Sequence, residues 1–327
     1  MTVSAPTGTV TTALGDRAAA ALGPVLPHEH LFINLMRERR GDGLVSDEVL
    51  VTEEIAAWAL LGGSAIFDLT TAELTPGSVP GGTATETGWT RAPSNVAAVQ
   101  RVSKATGVDV VLGTGHYRDP FIDRDRMDRY GVDAIADEIV RDLDEGFPDT
   151  DARAGIIGEI GADAWYVSTT EERSLRAAAR AGLRTGAAVY THAARWRVGL
   201  EQLRLLREEG VDPARIAIGH CDTVLEDGYA LEIARHGAYV GVDTVNSRNP
   251  RVVAWTVRLV LELVRAGHLD RILLSHDVCA TSHLQAFGGN GFAFVGGDLR
   301  AALLDAGLDA EAFGRITVTN PARLAAR

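Results

Sequence analysis

Two histidines one residue apart open the chemistry of this chain, in the stretch Leu26-Pro27-His28-Glu29-His30-Leu31-Phe32-Ile33. The stretch reads as a buried strand, and residues i and i+2 of a strand point to the same side. His28 and His30 therefore share a face and make half of a site for a divalent cation. Alone, the spacing is common by chance and suits packing histidines equally well. Four further residues shift the balance: Glu159, His192, His220 and Asp277 each stand at the end of a separate apolar, strand-like run. Imidazole combined with carboxylate suits zinc, manganese, cobalt or iron.

Those six side chains can meet only if the elements between them bring them together. Strand-like runs fall at 24–33, 64–70, 108–114, 154–160, 187–192, 215–220, 238–243 and 271–276. Helical patterns lie between them at 47–62, 94–106, 132–144, 170–185, 197–209, 225–236 and 250–267. In 170–185, Leu175, Ala178, Ala179 and Leu183 form one apolar stripe, with Thr169 as the expected cap. The strand runs are short and continuously apolar, as parallel strands buried on both faces are. The alternation predicts an α/β fold, a (β/α)8 TIM barrel spanning 1–327 as one domain. Residues 1–23 read as an N-terminal extension, a hairpin or a lid over one end. Residues 73–93, with Pro76, Gly77, Pro80, Gly81, Gly82 and Gly88, read as a long loop insertion. Residues 309–327 read as a C-terminal helix followed by a Thr-Asn-Pro turn.

The strand ends of a parallel barrel open onto one face, where side chains from different strands converge. Four histidines and two carboxylates arriving there supply the ligands of a two-metal site. Such ions lie roughly 3.5–4 Å apart and activate a bridging water as hydroxide.

Composition narrows the partners. A net charge of −12 argues against nucleic acid and against an anionic membrane. No apolar run is long enough to span a bilayer, and no secretory signal is read at Met1–Thr12, so the expected setting is cytoplasmic. Cys221 and Cys279 suggest no disulfide framework.

His-x-His on strand one, histidines ending strands five and six, and Asp after strand eight resemble the amidohydrolase superfamily. More narrowly, residues 26–30 (LPHEH), 154–161 (AGIIGEIG), 218–222 (IGHCD) and 316–321 (ITVTNP) resemble the phosphotriesterase family over nearly the whole chain. The resemblance implies that His28, His30 and Asp277 hold the more buried metal, and that His192 and His220 hold the outer one. It also implies that Asp277 accepts the proton of the bridging water. One position departs. Phosphotriesterases bridge the two ions with a carboxylated lysine, whereas this chain has Gly158-Glu159 on strand four, and its only lysine, Lys104, lies in a predicted helix. Glu159 is left as the bridge, which resembles the phosphotriesterase-homology and phosphotriesterase-related branches. Ser275-His276-Asp277 and residues 288–292 (GGNGF) look like the related branch as well.

The implied function is hydrolysis of an ester, lactone or amide bond in a small molecule, ahead of a phosphotriester. The related branch includes N-acetyltaurine hydrolysis. Two divalent ions are implied, zinc first, with manganese, cobalt or iron as alternatives, and a homodimer. The rival reading is a barrel that binds a small molecule without turnover; the complete ligand set, Asp277 included, argues against it. Around the metals, His116, Tyr117, Arg195 and Trp196 are candidate substrate contacts, and Asp243 a candidate partner of a ligand histidine. Arg118, Arg124, Arg126 and Arg129 would suit an anionic substrate, and surface ion pairs explain them equally well.

Overall fold

The structure is a computed structural model that describes residues 6–75, 89–246 and 249–327. Eight parallel strands follow one another round a barrel in chain order. They are β1 (Val25–Glu29), β2 (Ala65–Asp68), β3 (Asp109–Thr114), β4 (Ile156–Gly161), β5 (Val189–His192), β6 (Ile216–Ile218), β7 (Tyr239–Val242) and β8 (Ile272–Leu274). The helices between them are α1 (Glu48–Leu60), α2 (Pro93–Thr106), α3 (Val132–Asp144), α4 (Thr169–Thr185), α5 (Val198–Glu208), α6 (Tyr229–Arg235) and α7 (Pro250–Arg265). The expected α/β barrel is the fold.

Alternate strand residues divide between two cores. Val25, Phe67, Val111, Ile156, Tyr190, Ala217 and Leu273 fill the barrel interior. Their neighbours Leu26, Ile66, Val110, Ile157, Val189, Ile216 and Ile272 pack outward against the helices. Both faces are apolar, which explains why the strands read as unbroken hydrophobic runs.

The barrel has a seam. β8 and β1 are the two edges of the sheet, and a side chain draws them together. Glu29 Oε1 accepts from Ser275 Oγ (2.7 Å), His276 N (2.9 Å) and His276 Nδ1 (2.7 Å), and Oε2 accepts from Val278 N (2.9 Å). His28 N donates to Ser275 Oγ (3.1 Å), and Asp277 N donates to His28 O (3.2 Å). The residue between the two strand-one histidines is therefore the clamp that joins them to the loop carrying Asp277.

The N-terminal residues do form a hairpin, Thr9–Thr12 against Gly15–Ala18. It covers the barrel end opposite the strand C-termini. Ala13 N donates to Val110 O (2.7 Å) near the start of β3, and Val10 joins the interior core.

Three local expectations are corrected. The run 24–33 is not one strand: Pro27 lacks an N–H, the β1–β2 register shifts between Leu26 and Glu29, and Ile33–Asn34 pairs antiparallel with Leu44–Val45 instead. Helix α4 is capped by Ser168, not Thr169; Ser168 and Glu171 form a reciprocal capping box. Thr319-Asn320-Pro321 is not a turn. The chain stays helical from Ala310 to Ala325 through a π-helical stretch, Arg315–Thr319, which widens the ladder just before Pro321, where an α-helical donor is missing. Asn320 Nδ2 ties this helix to the foot of β8 through Leu269 O (2.9 Å) and Ile272 O (2.8 Å). Most of the expected 73–93 insertion, residues 76–88, lies outside the described residues; its ends are a 3-10 turn at Ala72–Leu74 and the buried Trp89–Ala92 leading into α2.

Candidate metal centre

Glu159 lies within β4, at the centre of a buried knot of imidazoles. Its Oε2 is 3.3 Å from His28 Nε2, 3.0 Å from His192 Nδ1 and 3.3 Å from His220 Nε2. Its Oε1 is 3.3 Å from His30 Nε2, which is 3.3 Å from Asp277 Oδ1 as well. The structure thus brings together all six residues expected to bind metal. His220 and Asp277 lie just beyond β6 and β8 in left-handed backbone conformations, with φ of 59° and 54°.

Hydrogen bonds behind the knot fix which nitrogen each ring presents. Asp243, just past β7, accepts from His28 Nδ1 (2.9 Å), His220 Nδ1 (3.0 Å), the His220 backbone N (2.7 Å) and the Tyr190 hydroxyl (2.6 Å). Both rings therefore turn Nε2 toward Glu159. Gly241 makes room for this carboxylate, since a Cβ there would stand 2.4 Å from Asp243 Oδ2. His30 is held differently. Thr70 Oγ1 donates to Asp68 Oδ1 (2.6 Å) and so accepts from His30 Nδ1 (2.9 Å). Asp68 is in turn gripped by the fully buried Arg91, whose Nη1 donates to its Oδ2 (3.1 Å) and Nη2 to its carbonyl (2.6 Å). His192 alone presents Nδ1, 2.8 Å from His220 Nε2.

Burial works against every charge here, and the neighbours decide the outcome. Burial would lower His28 and His30. For His28, Asp243 and Glu159 outweigh it and raise the ring to about 10. For His30, Asp277 and Glu159 do so and raise it to about 9. Burial wins at His192, which falls to about 4 despite Glu159. Burial would raise Glu159, but His192 and His28 hold it well below the usual carboxylate range.

The donor set fits a pair of cations. His28 Nε2 and His30 Nε2 are buried with no hydrogen-bond partner. One ligand atom each from His28, His30 and Asp277 lie within 4.8 Å of one another, as do those of Glu159, His192 and His220. Nitrogen and carboxylate oxygen are the ligands that transition metals such as zinc take.

Above the knot opens a cavity of about 1200 Å³. Tyr117, Arg195 and Trp196 line it, together with Trp255, Arg251, Arg39 and Leu225. The Tyr117 hydroxyl lies 3.3 Å from His192 Nδ1, and burial keeps the phenol protonated by pushing its pKa well above the ordinary value. His116 is not on the cavity wall. Its Nδ1 is 2.7 Å from Glu73 Oε1, and its ring packs 4.4 Å from Trp89. Of the arginines flagged at 118–130, Arg118 pairs with Glu38 and Asp163, Arg124 with Asp119 and Arg126 with Glu138. Sequence reasoning missed Arg251 and Trp255, which look like ordinary residues at the start of α7. It also missed the Arg91–Asp68–Thr70 chain, although Asp68-x-Thr70 shows the same i, i+2 spacing as the histidines.

A parallel barrel with this imidazole–carboxylate cluster at its strand C-termini is the architecture of the amidohydrolase superfamily. Within it, the chain belongs to the phosphotriesterase family, whose model matches residues 8–325. It is 36% identical over 194 residues to the phosphotriesterase homology protein of Escherichia coli, covering 59% of this chain and 66% of that one. A crystal structure of the phosphotriesterase homology protein from Escherichia coli, complexed with phosphate in the active site, superposes with a TM-score of 0.82 at 28% identity, covering 93% of this chain and 98% of that one. An N-acetyltaurine hydrolase of Danio rerio is 30% identical over 312 residues, covering 92% of this chain and 80% of the relative. A resiniferatoxin-binding protein from Rhodobacter sphaeroides matches with a TM-score of 0.85 and 31% identity, covering 98% of this chain and 95% of that one. No helix among the described residues is long and apolar enough to cross a membrane.

Proposed function

We propose that this protein is a binuclear-metal hydrolase that cleaves an ester, lactone or amide bond of a small molecule. The observation that carries the reading is the pair of buried Nε2 atoms of His28 and His30, each 3.3 Å from a Glu159 oxygen yet without a hydrogen bond. Buried polar atoms left without partners are costly, and a cation accounts for both at once. His28, His30 and Asp277 would hold one ion, His192 and His220 the other, with Glu159 between them. Zinc is the first candidate. Such a pair, when bound, lowers the pKa of water and polarises a carbonyl oxygen.

The chain's own groups supply the rest. Asp277 is 13% exposed at its side chain, the most open carboxylate of the knot, and in this reading it would take a proton from water and return it to the leaving group. Tyr117 offers a protonated hydroxyl beside His192 toward the oxygen that gains charge. Trp196 and Trp255 supply apolar faces above. The likeness to an N-acetyltaurine hydrolase favours the amide among the three bonds.

The test is Glu159→Gln. Loss of several kcal/mol of metal-derived stabilisation corresponds to roughly a thousandfold fall in turnover. Elemental analysis should show metal content falling with it; full metal and unchanged turnover would refute the assignment.

A second reading is favoured by one observation, the likeness to a resiniferatoxin-binding protein. It is binding without turnover. Metal-loaded protein that stays silent across ester, lactone, amide and phosphotriester panels would favour it.

A further inference from the structure

We propose that the protein carries a second binding site at the barrel end opposite the candidate metal centre, where Arg215, Arg271 and the Tyr239 hydroxyl receive a small oxyanion such as phosphate, sulfate or a carboxylate. The site does not depend on the hydrolase reading. Tyr239 is the first residue of β7, and β7 lies between β6 and β8. Arg215 directly precedes β6, and Arg271 directly precedes β8. All three therefore stand at strand starts, whereas the metal-centre residues stand at or near strand ends. From Tyr239 to Asp243, which holds His28 and His220, the extended chain spans roughly 13 Å.

The positive charges here are not neutralised within the described chain. The Arg271 guanidinium stands over the Tyr239 ring, 5.2 Å from its centroid, and makes no hydrogen bond or ion pair among the described residues. Arg215 is tied to carbonyls only: Nη1 donates to Arg323 O (3.2 Å) and Nη2 to Gly186 O (2.6 Å). Burial lowers its pKa below the ordinary arginine value, and the charge of Arg327 adds to that. Two acids lie near, and both are engaged. Asp270 Oδ1 pairs with Arg315 Nη1 (3.3 Å), and Asp212 Oδ1 accepts from Ala214 N (2.9 Å). Elsewhere exposed arginines find acids, as Arg176 and Arg180 both do at Glu209. A cation taken partly out of water without a carboxylate is costly.

The phenol is a second, independent observation. Tyr239 is 4% exposed, and its hydroxyl has no hydrogen-bond partner among the described residues. A buried tyrosine hydroxyl usually finds one. Burial raises its pKa although Arg271, Arg323 and Arg215 pull it down, so the hydroxyl keeps its proton. Two guanidinium groups and a phenol thus form a set of donors that lacks an acceptor, and a small oxyanion supplies acceptors to all of them. Ala322, Leu324 and Ala325 of the C-terminal helix share the interior core with Tyr239, and Arg215 reaches the backbone of that helix. An anion held there fastens the helix to β6, β7 and β8, so binding should show as stability.

The experiment follows thermal unfolding of the metal-loaded protein in sodium sulfate, phosphate or acetate against sodium chloride of equal ionic strength. About 20 mM of the preferred anion should raise the melting temperature by roughly 2–4 °C over chloride. Sulfate and phosphate are excluded from protein surfaces and stabilise folds generally, so the variants decide. Arg271→Gln breaks no hydrogen bond within the described chain, and Tyr239→Phe removes only the hydroxyl. Both should melt normally in chloride and lose most of the increment. Calorimetric titration should show affinity for that anion weakened by roughly tenfold or more in Arg271→Gln, and partly restored in Arg271→Lys. The anion with the largest variant-sensitive increment names the class. No increment over chloride overturns the proposal. So does an increment equal in the wild type and both variants, as when the anion rests on the metals or acts through the solvent alone. Light scattering tests a rival occupant: a dimer that dissociates in Arg271→Gln and ignores all three anions would give the arginines to a carboxylate of a second copy, and would overturn the proposal too.

Discussion

At the floor of the cavity, His28, His30, Glu159 and His220 are each at most 2% exposed, and the ring nitrogens turned away from Glu159 are held by Asp243 or Thr70. On the wall, Trp196 is 49% exposed and Leu225 77%, and Arg195 is exposed beside them. The floor comes from strands and strand ends, so a shift of one residue there would move a side chain to the wrong face. The wall comes from loops and the first turns of helices, which tolerate change. On the proposed reading, the chemistry would be anchored where the fold is stiffest, and the choice of substrate left where it is most adaptable.

That contrast can be broken or sharpened by measurement. The largest effect is expected at Asp68, which touches no candidate metal ligand directly. Asp68→Asn leaves the buried Arg91 without its counter-charge and should cost about 3 kcal/mol of stability, the low end because Asn keeps an acceptor. If the floor is as interlocked as described, metal affinity should fall too, by roughly tenfold through Thr70 and His30. Denaturant melts alongside metal titration would show this, and loss of stability with undiminished affinity would separate the two.

A buried carboxylate outside both regions provides the control. Asp142 accepts from Thr90 Oγ1 (2.8 Å) and Thr114 Oγ1 (2.6 Å), but burial dominates and raises its pKa to about 6. Glu159, equally buried but ringed by imidazoles, is lowered instead. Because the folded pKa of Asp142 is raised, its contribution favours the fold at and below the ordinary value of 3.8 and is lost as pH climbs through about 6. The loss is roughly 2–3 kcal/mol. Asp142→Asn should flatten this part of the stability profile between those pH values, and an unchanged slope would show that the group titrates normally. The smallest effect is expected on the wall. Leu225→Ala should move KM a few-fold and leave metal content and melting temperature alone; a drop in bound metal would erase the distinction between floor and wall.

The same contrast governs what could be read from residues alone. The barrel, its strand order and the convergence of six imidazoles and carboxylates were legible because the strands that carry them are short apolar runs ending in a residue that apolar surroundings would not otherwise accept. Glu159 and Asp277 stand out against Ile156–Ile157 and Leu273–Leu274. Asp243 was legible for the same reason, ending Tyr239–Val242. The wall left no such trace. Arg251 and Trp255 fit an amphipathic helix start, and His116, chosen for its place after β3, turns to Glu73 because Trp89 and Glu73 close round it. Glu29 was hidden for another reason. An alternating strand pattern says which side a residue faces, but not that the opposite edge of the same sheet returns to meet it.

Glu29 has a further consequence. Its four accepted bonds to residues 275–278 require no ion, so the ring of strands is fastened by a group that stays outside the candidate centre. If the candidate centre holds ions, closure of the barrel is expected not to depend on them: a chelator should abolish hydrolysis while leaving the melting temperature within a few degrees, and a collapse of the fold on chelation would show that the ions, and not Glu29, fasten the seam.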